Sequence, residues 1–269
     1  MLFRRLVWLA LGIAVLTGSL QSFVQHWQAM PIIHAAEKFE DQKLSIAHSA
    51  PAHDRADHSD HAAHSPDGQW APQDGFERQA WTWVANVLLA FGLALLMLAV
   101  LGTWVKLRGA PVHPLRAGLI VAVVGFVSFY LWPALGLPAE IPGMDAARLG
   151  SRQGWWLLAA GCSITACASI AWSRRRWRWF AAPVLLAVPF LAGAPHIVGD
   201  PFAGFPPDAA MQLRALSSQF VWASTLTSAV QWLALGLLSG IALKRRLLPA
   251  LTEVANGDPR ATVASRVRG

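Results

Sequence analysis

What this sequence has least of is charge. Asp, Glu, Lys and Arg make up 14% of its 269 residues, against about a quarter in an average soluble chain. With 55% hydrophobic residues, that deficit excludes a disordered or collagen-like chain and argues against an ordinary soluble enzyme. Cysteine is nearly lacking. Cys162 and Cys167 are too few for a disulfide framework, and both lie inside an apolar run. Five residues apart, they sit about 140° apart around a helix, so they read as small buried residues rather than shared ligands. There is no G-x-x-x-x-G-K-[ST] loop, so the chain cannot drive ATP-dependent transport by itself. There is also no H-E-x-x-H, no G-x-S-x-G and no carboxylate pair within an apolar run. Those absences argue against a membrane-embedded enzyme, and no organic cofactor is expected.

What is present is a series of apolar segments rich in Gly (21), Pro (17) and Trp (14). A hydrocarbon core about 30 Å thick needs roughly 20 helical residues to cross it. Six segments qualify: 6–30, 80–105, 115–135, 154–172, 179–197 and 220–243. The fifth carries Pro183, Pro189 and Pro195, and proline removes a backbone donor and kinks a helix, so this span is expected to be broken or re-entrant. The expected fold is therefore an all-α polytopic membrane protein of about six transmembrane helices. Its organisation reads as a first helix (1–34), an external loop (35–79), a five-helix bundle (80–246) and a basic tail (247–269). Arg4-Arg5 before an apolar stretch also fits a signal peptide. The apolar pattern runs on to Ile33, however, which favours a retained helix.

Basic residues set the orientation. With both termini in the cytoplasm, the inner segments hold 15 of the 22 Lys and Arg but only Glu253 and Asp258 of the 15 acids. Every inner segment obeys the positive-inside rule. Tryptophans cluster at both ends of the segments, as indoles do at headgroups. The net charge of +7 thus reports topology, and nucleic acid is not an expected partner.

The external loop is rich in histidine. It holds His48, His53, His58, His61 and His64, interleaved with Asp54, Asp57 and Asp60. Neutral imidazole suits Co, Ni, Zn and Cu. The i, i+3 spacing of His58, His61 and His64 brings them to one face of a helix formed on binding. Carboxylates such as Asp57 and Asp60 can ligate or orient a ring through its second nitrogen. A solvated polar loop is the bland alternative, because histidine-rich tracts are compositional signals.

The remaining polar residues suggest a route. Asn86 lies inside the second span, and Ser224, Thr227, Ser228 and Gln231 form a stripe on the last. Hydrogen bonds gluing the bundle would explain the stripe equally well. Outside, the Pro- and Gly-rich stretch 132–153 suits a vestibule, with Glu140 and Asp145 among its charges. Glu77 stands at the entrance to the second span, and His196 follows Pro195 at a helix end. The expected transport path is Glu77, Glu140, Asp145 and His196, then Asn86 and Gln231, whose neutral groups bind an ion weakly enough to release it.

Several motifs bear on family. They are Asp74-Gly75-Phe76-Glu77-Arg78 before the second span, Pro133-Ala134-Leu135-Gly136-Leu137-Pro138, Pro142-Gly143, and Leu149-Gly150-Ser151-Arg152-Gln153 with Trp155-Trp156. Pro189-Phe190-Leu191-Ala192-Gly193-Ala194-Pro195-His196 and Gln219-Phe220 join them. Together they resemble the CbtA family, the proposed membrane subunit of a cobalt transporter, over most of the chain. The resemblance implies a bacterial inner-membrane protein importing Co²⁺, often linked to cobalamin synthesis. It also implies a small partner, CbtB, with one span and a histidine-rich end. It supplies no ligand set to carry over. Ni²⁺ or Zn²⁺ as cargo and a homo-oligomer are left open. The rival reading is an accessory or sensor that hands metal to a conducting partner in the bilayer.

Overall fold

Where the sequence has long apolar runs, the computed structural model has helices. It describes residues 2–49, 72, 73, 75–109, 111, 113–173 and 175–249, and no strand occurs among them. The elements are α1 (Leu2–Gln28), α2 (Met30–Ser49), α3 (Phe76–Arg108) and α4 (Pro114–Phe126). A π-helical turn, Val127–Leu131, joins α4 to the short α5 (Trp132–Ala134). Next come α6 (Leu149–Trp172), α7 (Arg178–Ala192) and α8 (Pro207–Ala242), which continues into a second π-helical turn, Leu243–Leu247. Five stretches are long and apolar enough to cross a membrane: Phe3–Gln42, Phe76–Arg108, Pro114–Ala134, Leu149–Ala171 and Pro207–Leu247. The chain is an all-helical, multi-pass membrane protein.

The segment expected as a broken or re-entrant fifth span forms one short helix. Its helix, α7, has 15 residues, about 22 Å long at 1.5 Å per residue, short of a hydrocarbon core of about 30 Å. Pro183 and Pro189 lie inside it and do not break it. It ends at Gly193, whose φ of 82° is left-handed backbone that glycine adopts without strain. Two indoles hold the end of this helix. Trp155 Nε1 donates to the Pro189 carbonyl at 2.9 Å and Trp132 Nε1 to the Leu186 carbonyl at 3.2 Å. Both rings also meet Phe190 edge-on, at 5.4 and 5.8 Å. The Pro189 carbonyl, an orphan of the helix end, is thereby satisfied by a side chain.

Three other boundaries move. Residues 35–49, expected in a loop, continue the first helix as α2, with only Ala29 interrupting the run ahead of Pro31. Helical bonding bridges that point, Ala29 N–H to Gln25 O at 2.9 Å and Ile33 N–H to Ala29 O at 3.0 Å. The last helix begins at Pro207, not near residue 220, and α6 begins at Leu149 rather than 154. Pro133 sits in α5. Tertiary packing explains the first two shifts. Ala36 of α2 and Ala210 and Leu213 of α8 bury against Ile141 and Phe202 of the connecting loops. That cluster forms a cap beyond the bundle.

Inside the bundle, α1, α3, α4 and α8 share one core. Ile13, Met97, Leu98, Trp232 and Leu235 are among its buried side chains. Small residues let backbones touch. A Cβ on Gly118 of α4 would lie 2.4 Å from the Gly236 carbonyl of α8, and one on Gly18 of α1 would lie 2.7 Å from Val87 Cα of α3. In lipid, where apolar burial does not drive association, such close approach is what van der Waals packing needs.

Candidate functional site

Two groups of polar residues emerge, one in the cap and one inside the bundle. In the cap, the loop after α7 and the loop before α6 border an open cavity of about 670 Å³ lined by Asp145, Arg148, Ser151, His196 and Asp200. Asp145 and His196, both expected in the vestibule, therefore meet at one cavity. The neighbouring carboxylates are committed elsewhere. Asp200 pairs with Arg214 at 2.5 Å and accepts the Phe202 N–H at 3.1 Å. Glu140 pairs with Arg152 at 2.5 Å. Burial pushes the Glu140 carboxyl above its ordinary range, and the Arg152 charge opposes that. Glu77 stands in the first turn of α3, where its carboxylate accepts the Gln73 N–H at 3.2 Å and its charge complements the helix N-terminus.

Inside the bundle, α1 and α3 meet along a polar seam. Asn86 is buried and donates twice from Nδ2, to Ser22 Oγ at 2.9 Å and to Gln25 Oε1 at 2.6 Å. Trp83 Nε1 donates to Ser19 Oγ at 3.0 Å. Above Asn86 the seam reaches an open chamber of about 280 Å³, lined by Ser22, Gln25, His26, Gln79 and Thr82 together with apolar Phe23, Trp27 and Met30, and His26 itself is exposed. Its outer edge faces the end that carries the cap.

Below the chamber the seam meets α8. Thr17 and Gln21 on α1 and Thr227 and Gln231 on α8 are all buried, Gln21 at 6% and Gln231 at 5% exposure. Gln28 and Ala223 line one surface cavity between these antiparallel helices. Stepping about seven residues inward along each, roughly 10 Å, sets Gln21 and Gln231 at a common depth. Thr227 Oγ1 donates to the Ala223 carbonyl at 2.8 Å. Thr17 Oγ1, Gln21 Oε1 and Gln231 Nε2, by contrast, have no hydrogen-bond partner among the described residues. Each unpaired buried group costs about 1–3 kcal/mol, so these atoms, with Ser239 Oγ deeper on α8, are costly for a fold to keep.

Of the expected path, Asn86 and Gln231 thus belong to the bundle, while Glu140, Asp145 and His196 belong to the cap. The sequence reading passed over His26, Ser22, Gln25, Thr17 and Gln21 as site residues. The signal for some was present, since Gln21, Gln25 and His26 are polar positions within an apolar helix. Only the contact with α3 turns them into a lining. Of the expected metal ligands, His48 falls in the last turn of α2. His53, Asp57, His58, Asp60, His61 and His64 lie outside the described residues. Among the described residues, no three His, Cys, Asp or Glu side chains gather closely enough to hold a metal ion. The buried polar side chains inside the bundle, Thr17, Gln21, Asn86, Ser128, Ser163, Thr227, Gln231 and Ser239, are neutral.

No curated protein and no solved structure matches the chain. A family model does: the model described as "Probable cobalt transporter subunit (CbtA)" matches residues 3–244. With helices of membrane-crossing length over that same range, the chain belongs to the CbtA family.

Proposed function

We propose that this chain is the conducting subunit of a Co²⁺ uptake transporter, and that metal descends through the seam between α1, α3 and α8. The observation that carries this reading is the set of unpaired, buried polar atoms at Thr17, Gln21 and Gln231, in a bundle whose seam also holds Asn86 and opens at His26. The histidine-rich stretch from His48 to His64 captures metal and raises its local concentration. Asp145 and His196, at their cavity in the cap, offer a second holding point. In the chamber, His26 supplies an imidazole, a ligand suited to Co²⁺ and equally to Ni²⁺ or Zn²⁺. Below it, hydroxyl and amide oxygens hold the cation weakly, as conduction requires. A small single-span partner rich in histidine, as the family resemblance implies, would deliver metal to the same face.

Energetically the membrane potential suffices. A charge entering a negative compartment gains about 2.3 kcal/mol per 100 mV, hence roughly 4.6 kcal/mol for a divalent cation. That sustains a gradient of about 10³.

The test is initial radiolabelled cobalt uptake in cells lacking their own importers, comparing wild type with His26→Ala. With equal amounts in the membrane, His26→Ala is expected to slow uptake about tenfold or more at low metal, the loss of one good ligand. An unchanged rate removes the chamber from the route. Uptake that requires a co-expressed partner, even in wild type, would make the chain an accessory subunit instead.

A further inference from the structure

Oxygen donors suit the hard cations Mg²⁺, Ca²⁺ and Mn²⁺, whereas imidazole nitrogen and thioether sulfur favour the later transition metals. Buried in the bundle, Thr17, Gln21, Asn86, Thr227 and Gln231 offer a cation oxygen only. That level cannot tell Co²⁺ from Mg²⁺ by donor type. The open chamber above Asn86 can. His26 and Met30 both line it and lie four residues apart, on one face of a helix. Ala29 separates α1 from α2 between them, yet helical bonds run across it, from Ala29 N–H to Gln25 O at 2.9 Å and from Ile33 N–H to Ala29 O at 3.0 Å. The spacing is thereby kept. Oxygens around the chamber are largely committed. Ser22 Oγ and Gln25 Oε1 accept from Asn86, and Thr82 Oγ1 donates to the Arg78 carbonyl at 2.8 Å. No carboxylate among the described residues lines the chamber. Met30 is only half-buried, which leaves its sulfur reachable from the opening, unlike that of Met97, 2% exposed in the core.

We infer that Met30 is a ligand of the entering cation, paired with His26, and that this sulfur–nitrogen pair admits Co²⁺ while turning Mg²⁺ and Mn²⁺ away. The inference rests on the reading of this seam as the metal route. Thioether and neutral imidazole carry no charge, so they do not attract every divalent ion alike, as a carboxylate would. Donor type alone then discriminates. The chamber's apolar side works in the same direction. Phe23 and Trp27, a tilted pair with centroids 6.2 Å apart, offer nothing to replace a lost water ligand. Mg²⁺ dehydrates reluctantly and demands near-ideal octahedral oxygen geometry, and the chamber does not supply it. Met30 is therefore a specificity-determining residue, placed ahead of an interior that has no such selectivity of its own.

Two measurements on the full chain separate the ligand from the route. In cells lacking their own importers, initial radiolabelled cobalt uptake is followed as Mg²⁺ or Mn²⁺ is raised. Met30→Leu conserves volume and removes the sulfur. Half-inhibition by either hard cation is expected at about tenfold lower concentration in Met30→Leu than in wild type. Met211→Leu, at an exposed position of α8 outside the chamber, should match wild type. Identical inhibition curves for wild type and Met30→Leu overturn the inference, and so does an equal shift in Met211→Leu. The second measurement is cobalt-edge X-ray absorption of the purified chain loaded with Co²⁺. A sulfur neighbour is expected in wild type and should vanish in Met30→Leu. The histidine-rich stretch cannot supply it, because residues 35–79 contain neither Met nor Cys. No sulfur neighbour in wild type, or one that survives Met30→Leu, overturns the site. In wild-type protein labelled with selenomethionine the neighbour should become selenium, which a cysteine ligand would not do, so a variant that fails to fold still leaves a decisive result. A wild type that carries no cobalt yet shows the sulfur neighbour would sink conduction by this chain and leave the site standing.

Discussion

Gln231 and Asn86 are two amide side chains inside the same bundle with opposite circumstances. Asn86 spends both amide hydrogens on α1, at Ser22 and Gln25. Interhelical bonds of this kind contribute roughly 0.6–2 kcal/mol each in a membrane. Gln231 Nε2 is buried without a partner, so its amide weakens the fold. Replacing an unsatisfied polar group by an apolar one of similar size is neutral or stabilising. Gln231→Leu is therefore expected to raise the thermal midpoint of the purified protein, by about 1–3 kcal/mol of stability, while lowering cobalt uptake. Calorimetry or a fluorescence melt on one preparation, and uptake on the same variant, check both halves. A destabilised variant with normal uptake would make Gln231 an ordinary bundle contact.

At the scale of elements, α4 and α8 depend on glycine. Gly236 and Gly240 lie four residues apart on α8, facing Gly118 and Leu115 of α4. Cβ atoms on Gly118 would come within 2.4 Å of backbone, and backbone cannot step aside as a flexible side chain can. Gly118→Val should thus cost about 1–3 kcal/mol or more, the range for overpacking a tight contact. Gly92→Ala, where nothing lies within 4 Å, should be neutral or slightly stabilising, since alanine is the better helix former. Melting curves of the two variants side by side make the comparison. The elements themselves were largely legible in the sequence, because lipid demands about 20 apolar residues per crossing and leaves a long, plain signal. Helix α2 was not legible in this way. Its sequence, Met30-Pro31-Ile32-Ile33-His34-Ala35-Ala36-Glu37, grows polar as it leaves the membrane, and only Ala36 and its neighbours packing on the cap reveal why it stays helical. The short α7 was read as a proline-broken or re-entrant span, but composition could not say where its helix stops. The seam was legible in part. Asn86 and Gln231 stand out as polar residues in apolar runs, but their partners on α1 are set by which faces meet, and one sequence does not record that.

Taken whole, the molecule is polarised. One end gathers the described acids, the cap and the opening toward His26. The other gathers Arg4, Arg5, Lys106, Arg245 and Arg246 with both described chain ends. Arginine side chains also fasten that basic end from within. Arg108 donates to the Ala171 carbonyl at 2.6 Å and Arg178 to those of Ile170 and Ser173 at 3.0 and 2.6 Å, satisfying the orphan carbonyls at the end of α6. In bacteria a multi-pass chain of this family lies in the inner membrane, and we propose from the positive-inside rule that its basic end faces the cytoplasm. A cation entering at the acidic end would then move down the electrical gradient. The most direct test of that claim is cobalt influx into liposomes holding only the purified chain, as an inside-negative potassium-diffusion potential is raised from zero. Influx should climb with the potential, by up to about tenfold in accumulated metal for each 30 mV at equilibrium for a divalent ion. Influx no greater than in empty liposomes at every potential would contradict conduction by this chain.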